Sequence, residues 1–317
     1  MKERSKRRHK RKFFTILNSL LLLACAMGIG TIIFLYQGHR HFSLPNFSQN
    51  TLQTAFASKS SPKKTTKPKV TAEQKDITKK EESLQWAKQE QAVHIPILMY
   101  HAVHVMAPEE AASANLIVDP ALFESQLKAM TEAGYYFLTP EEAYRALSQN
   151  ELPAQKVVWL TFDDSMIDFY NVAFPLLKKY KAKATNNVIT GLTEAASPAN
   201  LTLEQMKEMK AFGMSFQDHT VNHPDLSQSS LDQQKAEMKD SKDYLDKSLQ
   251  QETIAIAYPA GRYNDNTLTI AQELNYKLGV TTNEGLASAQ DGLLSLNRLR
   301  ILPTTTAEAL LSAMSHQ

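Results

Sequence analysis

Two adjacent carboxylates at the end of an apolar run are the first candidates for chemistry. The run 157–162, Val-Val-Trp-Leu-Thr-Phe, is typical of a buried strand and leads directly into Asp163 and Asp164. Neighbouring carboxylates repel each other and lose hydration on burial, and a divalent cation compensates for both effects. Asp is also favoured at the starts of helices, so a helix cap beside a surface acid is an equally open interpretation of this pair alone.

A pair of histidines four residues apart, His219 and His223, is the second candidate. Pro224 disfavours helical backbone at His223, so we expect a loop that follows the strand 214–217. Two imidazoles and one carboxylate, with positions left open for water and substrate, are typical of a catalytic zinc site. The histidine pair alone is unremarkable, but together with the two aspartates at another strand end it predicts a divalent-metal site.

Two further strand ends carry polar or turn-forming residues. The run 254–258 continues into Pro259-Ala260-Gly261, which is either a plain turn or a tight loop that presents backbone N–H groups to an oxyanion. The run 95–100 ends at His101. A lone histidine there is more often structural, but it would approach the metal pair if the sheet closes on itself.

Strands and helices alternate from about residue 93, and this alternation predicts how the polar strand ends come together. Helix starts are marked by capping-box patterns at Thr139 and Thr202, and Phe123, Leu127 and Met130 recur at helical spacing. Eight strand candidates within about 220 residues predict a parallel α/β sheet that forms a closed or distorted barrel, whose chemistry would lie at the C-terminal ends of its strands. The candidates are Ile95–Tyr100, Tyr135–Leu138, Val157–Phe162, Ala184–Ile189, Met214–Gln217, Ile254–Tyr258, Leu278–Thr281 and Arg298–Leu302.

The first part of the chain predicts a membrane anchor and a stalk. Residues 1–12 are basic and predict a cytoplasmic segment, and the apolar run 13–36 is long enough for a single transmembrane helix. A cleaved signal peptide is the alternative, but the run is longer than a typical signal core. Residues 37–92 are rich in Ser, Thr, Lys, Pro and Gln and predict a disordered extracellular stalk. The cell membrane, with residues 93–317 outside as the catalytic domain, is therefore the predicted location.

Charge divides the chain in the same way. Residues 1–92 hold 18 Lys and Arg against 6 Asp and Glu, and the remainder holds 17 against 27. An acidic body argues against nucleic acid as a partner, because nucleic-acid binding depends on neutralising phosphates. With one cysteine, Cys25, no intramolecular disulfide can form, and a metal in the body would need His and carboxylate ligands.

Three of these motifs together resemble the polysaccharide deacetylase family (NodB-like, carbohydrate esterase 4). They are Thr161-Phe162-Asp163-Asp164, His219-Thr220-Val221-Asn222-His223 and Tyr258-Pro259-Ala260-Gly261. The opening Pro96-Ile97-Leu98-Met99-Tyr100-His101 resembles the branch with poly-N-acetylglucosamine and streptococcal wall-polysaccharide deacetylases. The likeness covers roughly residues 93–303.

The resemblance implies a fold, the distorted (β/α) barrel with parallel strands, and it also implies site residues and a cofactor. Asp164, His219 and His223 would hold a divalent metal, usually Zn²⁺, and Asp163 would be the general base. Ala260 would help to bind the oxyanion, with Tyr258 beside it in the same motif, and His101 would be the catalytic acid.

Four departures from the family pattern stand out, and one is Ala260 at the position after the proline, where the family often has an aromatic residue. The third-motif Arg would fall at Ala257 and is absent, and no Leu-x-His motif is present. Arg298 or Arg300 could replace that Arg beside Asp163. Ser165 stands where the family commonly has Gly, which is tolerated if the backbone there is not left-handed.

The predicted function is therefore metal-dependent removal of acetyl groups from N-acetylglucosamine residues of a cell-envelope polysaccharide. Candidate substrates are a wall-polysaccharide linkage, peptidoglycan and poly-N-acetylglucosamine, with the membrane as the other partner and no protein partner predicted. One alternative is a catalytically inactive, metal-dependent sugar-binding module. A glycoside hydrolase is the other, but its paired carboxylates must lie about 5 Å or more apart across the sugar, which suits adjacent aspartates poorly.

Overall fold

The structure, a computed structural model, describes residues 85–315. Seven parallel strands form its central sheet: Ile97–Tyr100 (β1), Val157–Phe162 (β2), Ala184–Val188 (β3), Met214–Asp218 (β4), Ala255–Ala257 (β5), Leu278–Glu284 (β6) and Leu296–Arg300 (β7). Each strand pairs with the next in chain order, and β7 pairs with β1, which in turn pairs with β2. The sheet therefore closes into a seven-stranded parallel barrel, and the barrel class predicted from the sequence is confirmed.

The eighth predicted strand lies outside this ring. Tyr136–Phe137 is a two-residue strand that pairs with Val157 and Val158 in parallel. Its other edge has no strand partner among the described residues. It therefore extends the sheet beside β2 without taking part in the closure of the barrel.

Helices cover the outside of the barrel. They are Pro120–Glu132 (α1), Pro140–Gln149 (α2), Phe174–Lys179 (α3), Thr190–Glu194 (α4), Leu203–Lys210 (α5), Leu231–Leu249 (α6), Asp265–Glu273 (α7) and Ala307–Met314 (α8). The capping boxes predicted at Thr139 and Thr202 are formed. The helical face of Phe123, Leu127 and Met130 is buried in α1, as its spacing predicts.

Strand β2 shows how side-chain alternation builds two hydrophobic layers. Val158, Leu160 and Phe162 belong to the cluster between the barrel and the helices. Val157 and Trp159 belong to the cluster that includes the barrel interior. Both faces of β2 are buried, so neither face needs polar side chains. The sequence of β2 is therefore a nearly continuous apolar run.

Short strands complete the described part of the chain. They are Ala87–Lys88, His94–Ile95, Ala102–Val103, Ile117–Val118, Glu151–Leu152 and Ala287–Ser288. Ala87–Lys88 pairs with Glu151–Leu152, so two residues assigned to the stalk by the sequence are paired with the body. The predicted segments 1–12 and 13–36 lie outside the described residues. Among residues 85–315, no helix has the length and apolar character needed to span a bilayer.

Candidate active site and metal centre

Asp163 and Asp164 leave the end of β2 in different directions. Asp163 is almost fully buried, and its backbone N–H donates to the Tyr100 carbonyl of the adjacent strand β1 at 3.0 Å. Asp164 is partly exposed, and its carboxylate faces His219 and His223. The backbone is left-handed at Asp164 (φ 74°) and at Ser165 (φ 51°), which turns the two neighbouring side chains apart.

Asp164, His219 and His223 form one compact group. The segment 219–223, which carries both histidines, is the metal-ligand loop. The Asp164 Oδ1 atom lies 3.3 Å from His219 Nε2 and 3.7 Å from His223 Nε2. One ligand atom from each residue falls within 4.8 Å of the others. The group therefore has the donor types and the spacing that suit a divalent metal with open coordination positions.

A hydrogen bond from His219 also suits a metal. The Nδ1 atom lies 2.7 Å from the Ala257 carbonyl, and a carbonyl can only accept, so Nδ1 carries the proton. In the neutral ring this leaves the Nε2 lone pair free and aimed at Asp164. The sequence joins His219 to β4 and Ala257 to β5, so the pairing of these two strands supports the ligand geometry.

Burial and neighbouring charges act in opposite directions on the pKa values of this group. Burial acts to lower the pKa of His219, but the carboxylates of Asp164 and Asp163 outweigh it and raise that pKa above its ordinary value. Burial acts to raise the pKa of Asp164, and His219 overrides it, so that this pKa is lowered. For His223, burial prevails and lowers the pKa. A divalent cation would satisfy both the carboxylate and the two imidazoles.

Asp163 is held by a buried arginine from β7. Arg298 donates from Nη1 to Oδ1 at 3.0 Å and from Nη2 to Oδ2 at 2.7 Å, and its own side chain is fully buried. Asn187 of β3 also donates to Oδ1, at 2.7 Å. Burial alone would raise the pKa of Asp163, but the charges of Arg298 and His219 hold it far below its ordinary value. Asp163 is therefore a carboxylate across the physiological pH range.

Of the two arginines considered as replacements for the missing family Arg, the structure places Arg298 beside Asp163. The remaining donors of Arg298 are used inside the protein, by the Thr281 carbonyl and the Thr161 hydroxyl. Its guanidinium is thus directed at protein groups rather than at a substrate. Arg300, two residues further along β7, has its backbone N–H near Glu284 and forms no ion pair with Asp163.

His101 follows β1 and lies next to Asp163 in the barrel. The register pairs Tyr100 with Phe162, so the residues that follow these two strands are neighbours. Burial lowers the pKa of His101, whereas the carboxylates of Asp163 and Asp164 oppose that decrease. The predicted acid is therefore close to both aspartates.

The loop after β5 places Ala260 and Tyr258 differently. Ala260 adopts a left-handed conformation (φ 50°) in a tight turn, and its N–H forms no hydrogen bond within residues 85–315. Tyr258 is buried against Tyr263, and its hydroxyl donates to the Leu294 carbonyl at 2.9 Å. The side chain of Tyr258 is consequently used for packing and for this hydrogen bond, and its substrate-binding role stays a prediction.

Ser165 also differs from expectation. Tolerance of Ser at this position was expected only without a left-handed backbone, yet φ is 51°. Such a conformation costs a non-glycine residue of order 1–3 kcal/mol. It is held by Leu201, whose N–H donates to the Ser165 carbonyl at 2.9 Å, and by Asn200, which donates to the Asp164 carbonyl at 3.0 Å.

Sequence reasoning missed Asn187, a direct partner of Asp163. The available signal is its strand, Ala-Thr-Asn-Asn-Val, which is buried at every position although three of its residues are polar. Buried polar side chains need partners, so such a strand indicates a polar interior. The neighbouring Asn186 has no hydrogen-bond partner for its amide within the described residues.

Comparisons with known proteins agree on one family. Residues 150–279 match the family model described as polysaccharide deacetylase. YxkH of Bacillus subtilis (strain 168), described as a candidate polysaccharide deacetylase, is 39% identical over 250 residues, which are 76% of this chain and 86% of YxkH. The poly-beta-1,6-N-acetyl-D-glucosamine N-deacetylase of Staphylococcus aureus (strain MRSA252) is 32% identical over 182 residues, 54% of this chain and 62% of that protein. The solved structure of the Streptococcus pyogenes deacetylase PplD in complex with acetate matches with a TM-score of 0.70 and 76% identity, over 71% of this chain and 100% of that one.

Proposed function

The chain belongs to the polysaccharide deacetylase family, and from that premise we propose that it is a metal-dependent N-deacetylase of the cell envelope. The proposed substrates are N-acetylglucosamine residues of a wall-polysaccharide linkage, of peptidoglycan or of poly-N-acetylglucosamine. The similarity to a staphylococcal enzyme named for the last of these polymers supports that substrate class. The proposed ion is Zn²⁺, which suits two imidazole nitrogens and a carboxylate oxygen.

One juxtaposition carries the proposal. A buried carboxylate that stays ionised, Asp163, is adjacent in sequence to Asp164, which meets His219 and His223 within ligand distance of one another. The pair of aspartates therefore divides into one proton acceptor and one metal ligand. A sugar-binding module would have no use for the acceptor.

The residues of this chain have distinct roles in the proposed hydrolysis. Asp164, His219 and His223 would hold the ion, which when bound polarises an acetamide carbonyl and makes a water molecule more acidic. Asp163 accepts a proton from the attacking water as its oxygen bonds to the carbonyl carbon. Arg298 and Asn187 keep the Asp163 carboxylate in one orientation during that transfer.

Two further groups complete the proposed step. The free N–H of Ala260 donates to the oxygen that becomes negative in the tetrahedral intermediate. As the C–N bond breaks, His101 gives a proton to the departing sugar amine, and acetate is the second product. Burial lowers the pKa of His101, and the neighbouring carboxylates of Asp163 and Asp164 oppose part of that decrease.

The direct test is acetate release by the zinc-loaded full-length chain from N-acetylglucosamine oligomers and purified cell wall. Asp163→Asn should abolish release and leave the zinc content nearly intact. Loss of both zinc and activity would show that the roles of the two aspartates are interchanged. Zinc binding without release from any substrate would favour the sugar-binding module.

The location remains a proposal from composition alone. We propose that residues 13–36 anchor the chain in the cell membrane and that the catalytic domain faces the cell wall on a stalk formed by residues 37–92. Treatment of intact, wall-free cells with a protease tests this arrangement. Digestion of the C-terminal domain without lysis supports it, and protection of the domain contradicts it.

A further inference from the structure

Helix α6 packs with a polar surface against the strand end that carries the two histidines. Its buried residues in the first part of the helix include Gln234, Glu237 and Ser241, whereas Leu245 and Leu249 are buried further along. Buried polar groups persist where they form hydrogen bonds. The partner of Glu237 lies within the metal-ligand loop, and the partner of Ser241 directly precedes that loop.

Glu237 binds the residue before the second histidine. Its two carboxylate oxygens accept from Asn222, one from the backbone N–H and one from the side-chain amide, each at 2.8 Å. Asn222 directly precedes His223. A carboxylate that accepts two hydrogen bonds from one residue fixes both the backbone and the side chain of that residue.

Ser241 binds the residue before the first histidine. Its hydroxyl donates to Asp218 Oδ1 at 2.6 Å, and Asp218 and Ser241 are both fully buried. The same Asp218 oxygen accepts from the Thr220 N–H at 2.6 Å, across His219. Tyr276 donates to the other oxygen of Asp218. Ser241 therefore binds the carboxylate of Asp218, the residue before His219. The same carboxylate binds the backbone N–H of Thr220, the residue after His219.

We propose that Glu237 and Ser241 are positioning residues for the metal centre. They lie four residues apart, one turn of α6, and each anchors the residue immediately before one histidine of the metal-ligand loop. This inference rests on the proposed function, because it assumes that His219 and His223 bind a metal ion. The spacing of the His219 and His223 imidazoles would then depend on helix α6, although α6 contributes no metal ligand.

Backbone strain in the loop makes such anchoring necessary. Thr220 (φ 66°) and His223 (φ 58°) are both left-handed, a conformation that non-glycine residues adopt when surrounding contacts impose it. Helix α4 also binds the loop, through Thr190 and Gly191 N–H groups that donate to the Thr220 and Val221 carbonyls. Those contacts hold the middle of the loop, whereas α6 holds the residue that leads into each ligand.

Zinc affinity tests this role. The full-length chain is titrated with Zn²⁺ against a chromophoric chelator at fixed pH, as wild type and as the Ser241→Ala, Glu237→Gln and double variants. Changes to groups that orient metal ligands typically weaken metal binding by 10–100-fold. We expect about a tenfold rise in Kd for each single variant, with partial recovery of kcat at saturating zinc.

Matched controls come from the same helix. Ser248→Ala and Asp240→Asn alter residues of α6 that form no hydrogen bond to the metal-ligand loop, and they should leave the Kd unchanged. Thermal unfolding of the metal-free proteins by circular dichroism is measured in parallel. A general loss of structure would lower the Tm of the metal-free chain, whereas a positioning role changes the zinc Kd at a nearly constant Tm.

Each outcome decides between the two proposals. Wild-type zinc affinity in Ser241→Ala and Glu237→Gln would overturn the positioning role and leave the proposed function intact. An increase in Kd that merely follows a lowered Tm of the metal-free chain would also overturn it. Absence of zinc binding by the wild-type chain would overturn the metal centre itself, and the positioning role with it.

Discussion

Arg298 donates two hydrogen bonds to the carboxylate of Asp163, although the two residues lie 135 positions apart in the chain. The contact crosses the barrel interior from β7 to the end of β2, and both side chains are buried. A buried ion pair of this kind compensates each partner for lost hydration.

Replacing Arg298 by Met should strongly destabilise the fold. The change leaves Asp163 as an unpaired buried carboxylate, and breaking a buried pair in this way costs about 3–5 kcal/mol. Urea unfolding at pH 7 measures the loss. Arg300→Met is the matched control, because Arg300 has no ion pair with Asp163, and it should change the free energy of unfolding by less than about 1 kcal/mol. Equal losses from the two variants would contradict this account.

Substitutions of Asp163 and of Asp164 should have different effects on the zinc content of the protein. Asp164→Asn removes the charged ligand atom of the proposed metal group, so zinc should be lost together with activity. Asp163→Asn should retain zinc. Equilibrium dialysis against buffered Zn²⁺, followed by elemental analysis, measures both. Retention of zinc by Asp164→Asn at the wild-type level would exclude Asp164 as a ligand.

Gly191→Ala should disturb the metal-ligand loop from outside the site. A Cβ atom at this position would lie 2.7 Å from the Val221 carbonyl oxygen, too close for van der Waals contact. Relief of the clash moves the loop, so we expect a loss of about 1–3 kcal/mol in stability and weaker zinc binding.

Gly134→Ala serves as the comparison for that variant. Gly134 has a left-handed backbone (φ 79°) and open space around its Cα, so its substitution adds strain without a clash. It should destabilise the chain by about 1 kcal/mol and leave zinc affinity unchanged. Equal zinc affinities for the Gly191 and Gly134 variants would show that the tight contact with Val221 does not matter.

His104 should make stability depend on pH. Its Nδ1 atom lies 2.8 Å from Asp168 Oδ2 and its Nε2 atom 3.0 Å from Glu110 Oε1. Burial acts to lower the pKa of His104, but the two carboxylates outweigh it and raise that pKa. A raised folded-state pKa stabilises the fold below the unfolded value of about 6.5 and ceases to do so as the pH rises through the folded value.

The stability difference between wild type and His104→Ala should therefore be larger at pH 5.5 than at pH 8.5. Urea unfolding at both pH values measures it. The variant His94→Ala, at an exposed position, is the comparison for the loss of an imidazole side chain. A difference for His104→Ala that is the same at both pH values would disprove the charged bridge to Glu110 and Asp168.

The class of the fold was predictable because its signal is local. Apolar runs of strand length, helical spacing at Phe123 and Leu127, and caps at Thr139 and Thr202 each depend on neighbouring residues. Their alternation implies parallel strands, and parallel strands bring the residues at their ends to one edge. For this reason the Asp163-Asp164 pair could be placed beside His219 and His223 without coordinates, whereas the choice of Asp164 as the ligand came from the family resemblance.

The number of strands in the ring was not predictable in this way. Tyr136–Phe137 has the composition of a strand, but whether a strand closes a barrel or flanks it depends on pairing across the whole sheet. Likewise, Arg298 and Arg300 lie on the same side of β7 by alternation. The two arginines differ in how deeply they are buried in the barrel, and only the fully buried Arg298 forms an ion pair with Asp163.

Contacts between distant parts of the chain set the remaining limit of sequence reasoning, as four residues show: Tyr258, Ser165, Glu237 and Ser241. The side chain of Tyr258 belongs to a motif that suggests chemistry, yet the space beside Tyr263 directs it into the core. The left-handed backbone of Ser165 is imposed by a loop some 35 residues later.

The sequence by itself determined the barrel class and the residue types of the metal group, because periodicity and strand ends are local. Which side chains orient those residues was decided only by the tertiary structure, because contacts across the barrel depend on the position of every strand and helix between them.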